Sequence, residues 1–147
     1  MKFIDKKHSE YVEKMKAAAP GSDFRVLVQF QPVTQSMVKH SVKSGGNVLG
    51  LEEIVAKGPT IMWLIAVTVD TAENQALTIE YRDAVNKYAN SIGANKNWLY
   101  LNYALGDQDP IAGYGAEVVE FLKATSHKYA PKGVFQKLRG SGFKLPT

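Results

Sequence analysis

The side chains best placed to do polar chemistry in this sequence are amides and phenols rather than acids, bases or thiols. The chain of 147 residues contains no cysteine, which excludes a thiolate nucleophile, a disulfide and a cysteine metal site. Its histidines, His8, His40 and His127, lie far apart and show no paired spacing, which argues against a histidine-based metal centre. There is no Gly-x-Ser-x-Gly elbow and no order of Ser, His and Asp above coincidence. Asp107 and Asp109 are close neighbours at the mouth of a predicted loop and have the chemistry of an acid/base pair. Turn and helix-capping roles are the commoner use of such residues. Gly45-Gly46 and Gly140-Ser141-Gly142 read as turns, because neither sits in the strand, glycine-rich turn and helix that cradle a pyrophosphate. Neutral hydrogen-bonding groups remain. Gln29, Gln31, Asn102 and Tyr100 are of the type that polarises a carbonyl without a strong acid or base.

Composition bounds the frame that must position them. With 45% hydrophobic and 22% charged residues, the chain has the makeup of one ordinary globular domain, expected to span residues 1–147 with a helix at 1–20 and a tail at 134–147. No apolar run is long enough for a transmembrane helix, and the lysine-rich start is not followed by the apolar run of a secretory signal. A cytoplasmic protein is therefore expected. The net charge of +4 invites a nucleic-acid reading. Against it, most lysines are interleaved with Glu10, Glu13, Glu117 and Glu120, the pattern of solvated helix faces, and only 128–144 is persistently basic. Neither a nucleic-acid nor a membrane partner is expected.

Residues 5–19 predict an amphipathic helix, with Ile4, His8, Tyr11, Val12 and Met15 at helical spacing and Pro20-Gly21 as the stop. Residues 24–31 predict a strand: Phe24, Val26, Val28 and Phe30 face one way, Arg25, Leu27, Gln29 and Gln31 the other, and Pro32 ends it. Thr34 caps a short helix to about Val42 with Met37, Val38 and Val42 inward, and a short apolar piece follows at 48–51. The run 61–69 is apolar on both faces and predicts a strand covered on both sides. Asp70-Thr71-Ala72-Glu73 has capping-box spacing and opens a helix to about Ile92, with Leu77, Tyr81, Ala84, Val85, Tyr88 and Ile92 as its buried stripe. Residues 98–103 predict another strand, and 115–129 a last helix with Val118, Leu122, Thr125 and Tyr129 on one side. The expected class is α+β: one mainly antiparallel sheet with helices on one face, a ferredoxin-like sandwich.

Several stretches carry a resemblance. They are Gly45-Gly46-Asn47-Val48-Leu49-Gly50-Leu51, Tyr100-Leu101-Asn102-Tyr103-Ala104, and Gln108-Asp109-Pro110-Ile111-Ala112-Gly113-Tyr114-Gly115. The closing Lys128-Tyr129-Ala130-Pro131-Lys132-Gly133-Val134-Phe135-Gln136-Lys137-Leu138, followed by Ser141-Gly142-Phe143-Lys144-Leu145, completes the set. Together, from about Phe24 onward, the chain resembles the C-terminal substrate-binding domain of fungal berberine-bridge-like, FAD-linked oxidoreductases. In that family a separate N-terminal domain holds the flavin, and nothing resembling it stands in this sequence. The resemblance implies a sheet that roofs the flavin and lines a substrate pocket, with Asn102 and Tyr103 near the flavin.

Strand alternation and the resemblance together place Leu27, Gln29, Gln31, Met62, Leu64, Ala66, Thr68, Trp98, Tyr100 and Asn102 on that face. Left uncovered, it is expected to pair with a second copy in a two-fold homodimer and to enclose a small apolar cavity. Asn102, Tyr100, Gln31 and Gln29 are the expected catalytic groups, and Leu27, Met62, Leu64, Trp98, Tyr103 and Tyr114 the expected substrate contacts. No cofactor is expected. The functional expectation is a cofactor-independent cyclase or isomerase, of pericyclase type, acting on a hydrophobic fungal natural product. The alternatives are the substrate-domain subunit of a split FAD-linked oxidoreductase and a non-catalytic protein that binds a hydrophobic metabolite.

Overall fold

A computed structural model describes residues 1–146. The chain is organised as two compact units, each discontinuous in sequence. One comprises Met1–Gln31 and Ile61–Asn95; the other comprises Pro32–Thr60 and the chain from Lys96 onward.

The first unit is built from α1 (Lys2–Ala18), most of β1 (Arg25–Val33), β2 (Thr60–Thr68) and the long α4 (Ala72–Ser91); between the strands in sequence come α2 (Gln35–Lys43) and α3 (Leu51–Val55) of the second unit. β1 and β2 form a two-stranded antiparallel sheet with helices packed against it, the expected α+β class. The core is a cluster of Tyr11, Tyr81 and Val85, onto which Val26 and Val28 of β1, Trp63 and Ile65 of β2, and Phe3, Ile4, Leu77 and Ala84 pack. Tyr11 and Tyr81 stack at 5.2 Å, and Phe3 stacks on Tyr88 at 3.9 Å, so aromatic contacts join α1 to α4 along their length. The Tyr81 hydroxyl donates to the Ile4 carbonyl at 3.3 Å, and burial pushes its pKa up to about 12. The solvent side of α1 carries the ion pairs Lys7–Glu10, Lys14–Glu10 and Lys16–Glu13 at 2.7, 3.1 and 2.7 Å, the solvated face that its charge pattern implies.

Alternation in β1 is as expected, with Val26, Val28 and Phe30 half-buried and Arg25, Leu27 and Gln29 exposed. Several other expectations need correction. Pro32 lies inside β1 rather than ending it, which a two-stranded sheet tolerates because both strands are edges. β2 is half-buried along most of both faces rather than fully covered, and Ile61 is exposed. The N-cap of α4 is Thr71, one residue later than Asp70; its side chain accepts from the Asn74 amide at 3.2 Å, while Asp70 accepts from the Asp23 amide at 2.9 Å. The stripe of α4 buries Asn74, Thr78, Tyr81 and Val85, whereas Tyr88 and Ile92 are exposed.

The second unit consists of α2, α3, α5 (Ala116–Tyr129), α6 (Val134–Leu138) and two 3₁₀ turns, Leu101–Tyr103 and Ala112–Tyr114. Thr34 caps α2 by accepting from the Met37 amide, as its sequence position indicates. Only Val38 of that helix is buried; Met37 and Val42 are exposed. The apolar piece at 48–51 is a turn leading into α3, and Tyr129 at the end of α5 is exposed rather than packed with Val118 and Leu122.

The expected strand at 98–103 is not a strand. Its donors are taken by other partners: the Trp98 indole donates to the Leu49 carbonyl at 2.7 Å, and the Leu101 amide donates to the Tyr114 hydroxyl at 3.1 Å. The Tyr103 amide closes the 3₁₀ turn onto the Tyr100 carbonyl at 2.9 Å. With the Leu101 and Tyr103 amides engaged in this way, neither donates to a ladder.

Candidate functional site

The second unit gathers Trp98, Tyr100, Asn102, Tyr103 and Tyr114 around one turn. Trp98 lies 6.3 Å from Tyr100, nearly parallel, and 6.2 Å from Tyr114; Tyr103 meets Tyr100 edge-on at 4.9 Å. Asn102 is exposed, and its amide nitrogen donates to the Tyr100 hydroxyl at 3.0 Å. Tyr100 is half-buried and Tyr103 exposed, so the cluster has a wet side and a packed side. Tyr114 forms the packed side. It is 4% exposed, its hydroxyl accepts from Leu101, and burial pushes its pKa up.

Glycines let the backbone of this unit interlock around Tyr114. Gly50 adopts φ 63° and ψ 29°, and a Cβ there would stand 2.1 Å from the Tyr114 carbonyl oxygen. A Cβ on Gly113 would stand 2.7 Å from the Asn97 carbonyl oxygen. Asn47 stiffens the approach to Gly50: its Oδ1 accepts from the Leu49 amide at 2.9 Å and its Nδ2 donates to Ser41 at 2.6 Å. Three of the sequence stretches singled out above, 45–51, 100–104 and 108–115, thus clasp one another. Leu49, Gly50 and Gly113 were not among the expected site residues. Their signal was the glycine within Val-Leu-Gly-Leu and within Ala-Gly-Tyr, since backbone that approaches this closely leaves no room for a side chain.

The remaining expected site residues belong to the first unit. Leu27 and Gln29 are exposed on the outer face of β1; Gln31, Met62 and Leu64 are half-buried. The outer side of the sheet therefore keeps Leu27 and Gln29 accessible while α1 and α4 pack on the inner side.

The other candidates take structural roles. Asp109 accepts from the Ala112 amide at 3.2 Å, capping the turn that carries Tyr114. His8 lies on the inner side of α1, its ring 6.3 Å from Tyr81 and its Nδ1 buried. Among the described residues no three His, Cys, Asp or Glu side chains converge as metal ligands. A further groove of about 380 Å³ lies in the second unit between the 45–48 loop and α5, lined by Val48, Val118 and Phe121 with Asn47 and Glu117.

No family model matches the chain, and no solved structure matches it. Curated proteins do. The chain is 37% identical over 142 residues to the FAD-dependent monooxygenase drtC of Aspergillus calidoustus, covering 94% of this chain and 27% of that protein. It is 38% identical over 138 residues to the FAD-dependent monooxygenase sdcF of Emericella nidulans, covering 91% and 28%. The homologues are fungal proteins named FAD-dependent monooxygenases. A more distant relative, the bifunctional solanapyrone synthase of Alternaria solani, is 29% identical over 140 residues and covers 92% of this chain and 26% of that protein. The chain spans about a quarter of the length of the curated relatives it matches.

Those names raise the question of whether this chain's own residues carry a dinucleotide-binding turn, and among the described residues none has that form. The sheet is antiparallel and two-stranded, β1 enters α2 through Pro32, Val33 and Thr34 without a glycine, and Gly45-Gly46 connect one helix to another rather than a strand to a helix. Among the described residues no glycine-rich turn joins a strand to a helix to wrap a pyrophosphate.

Proposed function

We propose that the chain is a substrate-handling segment of the berberine-bridge-like kind, and that the turn at Trp98–Tyr103 promotes a redox-neutral cyclisation or isomerisation of a hydrophobic fungal metabolite. The observation that carries this reading is the 3.0 Å hydrogen bond from Asn102 to the Tyr100 hydroxyl. A phenol that accepts one hydrogen bond becomes a stronger donor through its own O–H, and a substrate carbonyl is the acceptor it suits. Trp98 and Tyr103 beside it offer flat apolar walls that hold a flexible chain folded, so that ring closure gains rate from proximity. A pericyclic ring closure redistributes bonding electrons within the substrate, so the product keeps its elemental formula and no oxidant is consumed. Tyr114 supports the turn from behind.

The outer sheet face of the first unit is assigned to a two-fold homodimer, in which Leu27, Met62 and Leu64 meet their counterparts and Gln29 and Gln31 supply amide donors to an enclosed cavity. Native mass measurement tests this: a monomer at micromolar concentration refutes the pairing.

The names of the relatives favour a second reading, in which this segment supplies only a substrate wall and a flavin is held by residues outside the chain. One experiment separates the two. The purified chain is incubated with apolar polyenes and unsaturated ketones, with and without FAD, and products are read by mass spectrometry alongside visible absorbance. Isomers of unchanged mass formed without FAD, and lost in Asn102→Ala, support the redox-neutral reading. Stoichiometric FAD uptake with products lacking two hydrogens overturns it.

A further inference from the structure

The tail of the second unit carries all of the chain's excess charge. Between Lys128 and Lys144 there are five cations, Lys128, Lys132, Lys137, Arg139 and Lys144, and no acid, which leaves thirteen cations against fourteen acids in the remainder. In the middle of this segment sits α6, whose Val134, Phe135 and Leu138 fall on one helical face at i, i+1 and i+4. None of them is packed away: Phe135 is 72% and Leu138 79% exposed, and Tyr129 just upstream is 75% exposed.

Two carbonyls of this helix are capped by the chain that follows it. The Lys144 ammonium donates to the carbonyls of Phe135 and Gln136 at 3.3 and 3.0 Å and also to that of Arg139, and the Leu145 amide donates to the Gln136 side chain at 3.1 Å. The Phe135 and Gln136 carbonyls, capped by the same chain, can therefore leave water without being orphaned.

We propose that α6 and its flanks form a docking surface for an anionic lipid bilayer, with Phe135, Leu138 and Val134 entering the interface and Lys132, Lys137, Arg139 and Lys128 facing the head groups. Two features select this occupant. Val134 and Leu138, the aliphatic side chains of the patch, add nothing to phosphate binding by a nucleic acid, whereas a bilayer takes both the cations and the apolar residues. A second copy on the same surface would set five cations against five of like charge. The hydropathy reading of the sequence missed the patch because it looks for long apolar runs, and this helix has five residues. The inference is independent of the proposed activity.

The test uses the full chain in vesicle sedimentation, with phosphatidylcholine vesicles and with vesicles in which a quarter of the lipid is phosphatidylserine. Binding to the anionic vesicles alone is expected, weakening as added salt shortens the screening length from about 10 Å at 0.1 M. The double variant Phe135→Ser/Leu138→Ser, which alters only exposed side chains, is expected to lose binding with its charge unchanged. Lys132→Gln/Lys137→Gln is expected to bind about 25-fold more weakly, roughly fivefold per cation. Circular dichroism confirms that both variants fold. Absence of sedimentation with anionic vesicles overturns the proposal, as does equal binding to phosphatidylcholine. So does binding to a DNA duplex that Phe135→Ser/Leu138→Ser leaves intact.

Discussion

Replacing Gly50 with alanine tests whether the clasp around Tyr114 holds the candidate site together. Two effects add at this position. The left-handed backbone at φ 63° costs a residue with a Cβ about 1–2 kcal/mol. The Cβ would also stand 2.1 Å from the Tyr114 carbonyl oxygen, and that oxygen is backbone, so it cannot swing aside as a side-chain end would. Forcing such an overlap apart typically costs about 1–3 kcal/mol more. The sum, about 2–5 kcal/mol, is a large part of the 5–15 kcal/mol that stabilises an ordinary domain.

Two control substitutions separate the effects. Gly46→Ala has a left-handed φ of 79° but open space around the Cβ, and should lose only the backbone part. Gly113→Ala has no left-handed penalty but a Cβ 2.7 Å from the Asn97 carbonyl oxygen, and should lose mainly the steric part. The assay is urea unfolding followed by tryptophan fluorescence. Trp63 lies in the first unit and Trp98 in the second, so a Trp63→Phe background reports on the second unit alone. With a slope near 2 kcal/mol/M, the Gly50→Ala midpoint should fall by about 1–2.5 M. Gly113→Ala should fall by about half as much, and Gly46→Ala by less than 1 M. If Gly50→Ala proves no worse than Gly46→Ala, the close approach of Gly50 to Tyr114 does not exist, and the account of how the three stretches position Asn102 falls with it.

Two further expectations concern the aromatic residues. Removing the Tyr114 hydroxyl in Tyr114→Phe leaves the Leu101 amide without its acceptor, which should cost about 1–2 kcal/mol of unfolding stability in the same assay. Asn102→Ala, on an exposed side chain, should stay within about 0.5 kcal/mol of the parent while abolishing conversion; retained activity refutes the assigned role. For Tyr81 the folded pKa, about 12, lies above the unfolded value near 10.0. Its contribution is therefore complete below pH 10 and is lost as pH rises towards 12, because the unfolded chain releases its proton first. Unfolding midpoints across that range should fall steadily, and Tyr81→Phe should flatten the slope; an unchanged slope would show that Tyr81 is not the group responsible.

Local rules carried much of this molecule. The alternation of Val26, Val28 and Phe30 with Arg25, Leu27 and Gln29 was enough to say which side of β1 faces the helices, because side-chain direction in a strand depends only on parity. The stripe through Tyr11, Met15, Tyr81 and Val85 was legible for the same reason at helical period, and Thr34 announced its helix through a local hydrogen bond. Residues 98–103 show where such rules stop. Their composition and spacing suit a strand, but a strand exists only if a neighbour accepts its ladder. Here the Tyr114 hydroxyl, 13 residues away, captures the Leu101 amide instead, while the Leu49 carbonyl, 49 residues away, anchors the Trp98 indole. The division into two units that exchange segments of chain was equally out of reach of composition, since neither unit is continuous. The residue types at the candidate site were thus set by sequence. Their placement around one turn was decided by tertiary hydrogen bonds and by glycines that let the backbone come close, interactions that no local pattern records.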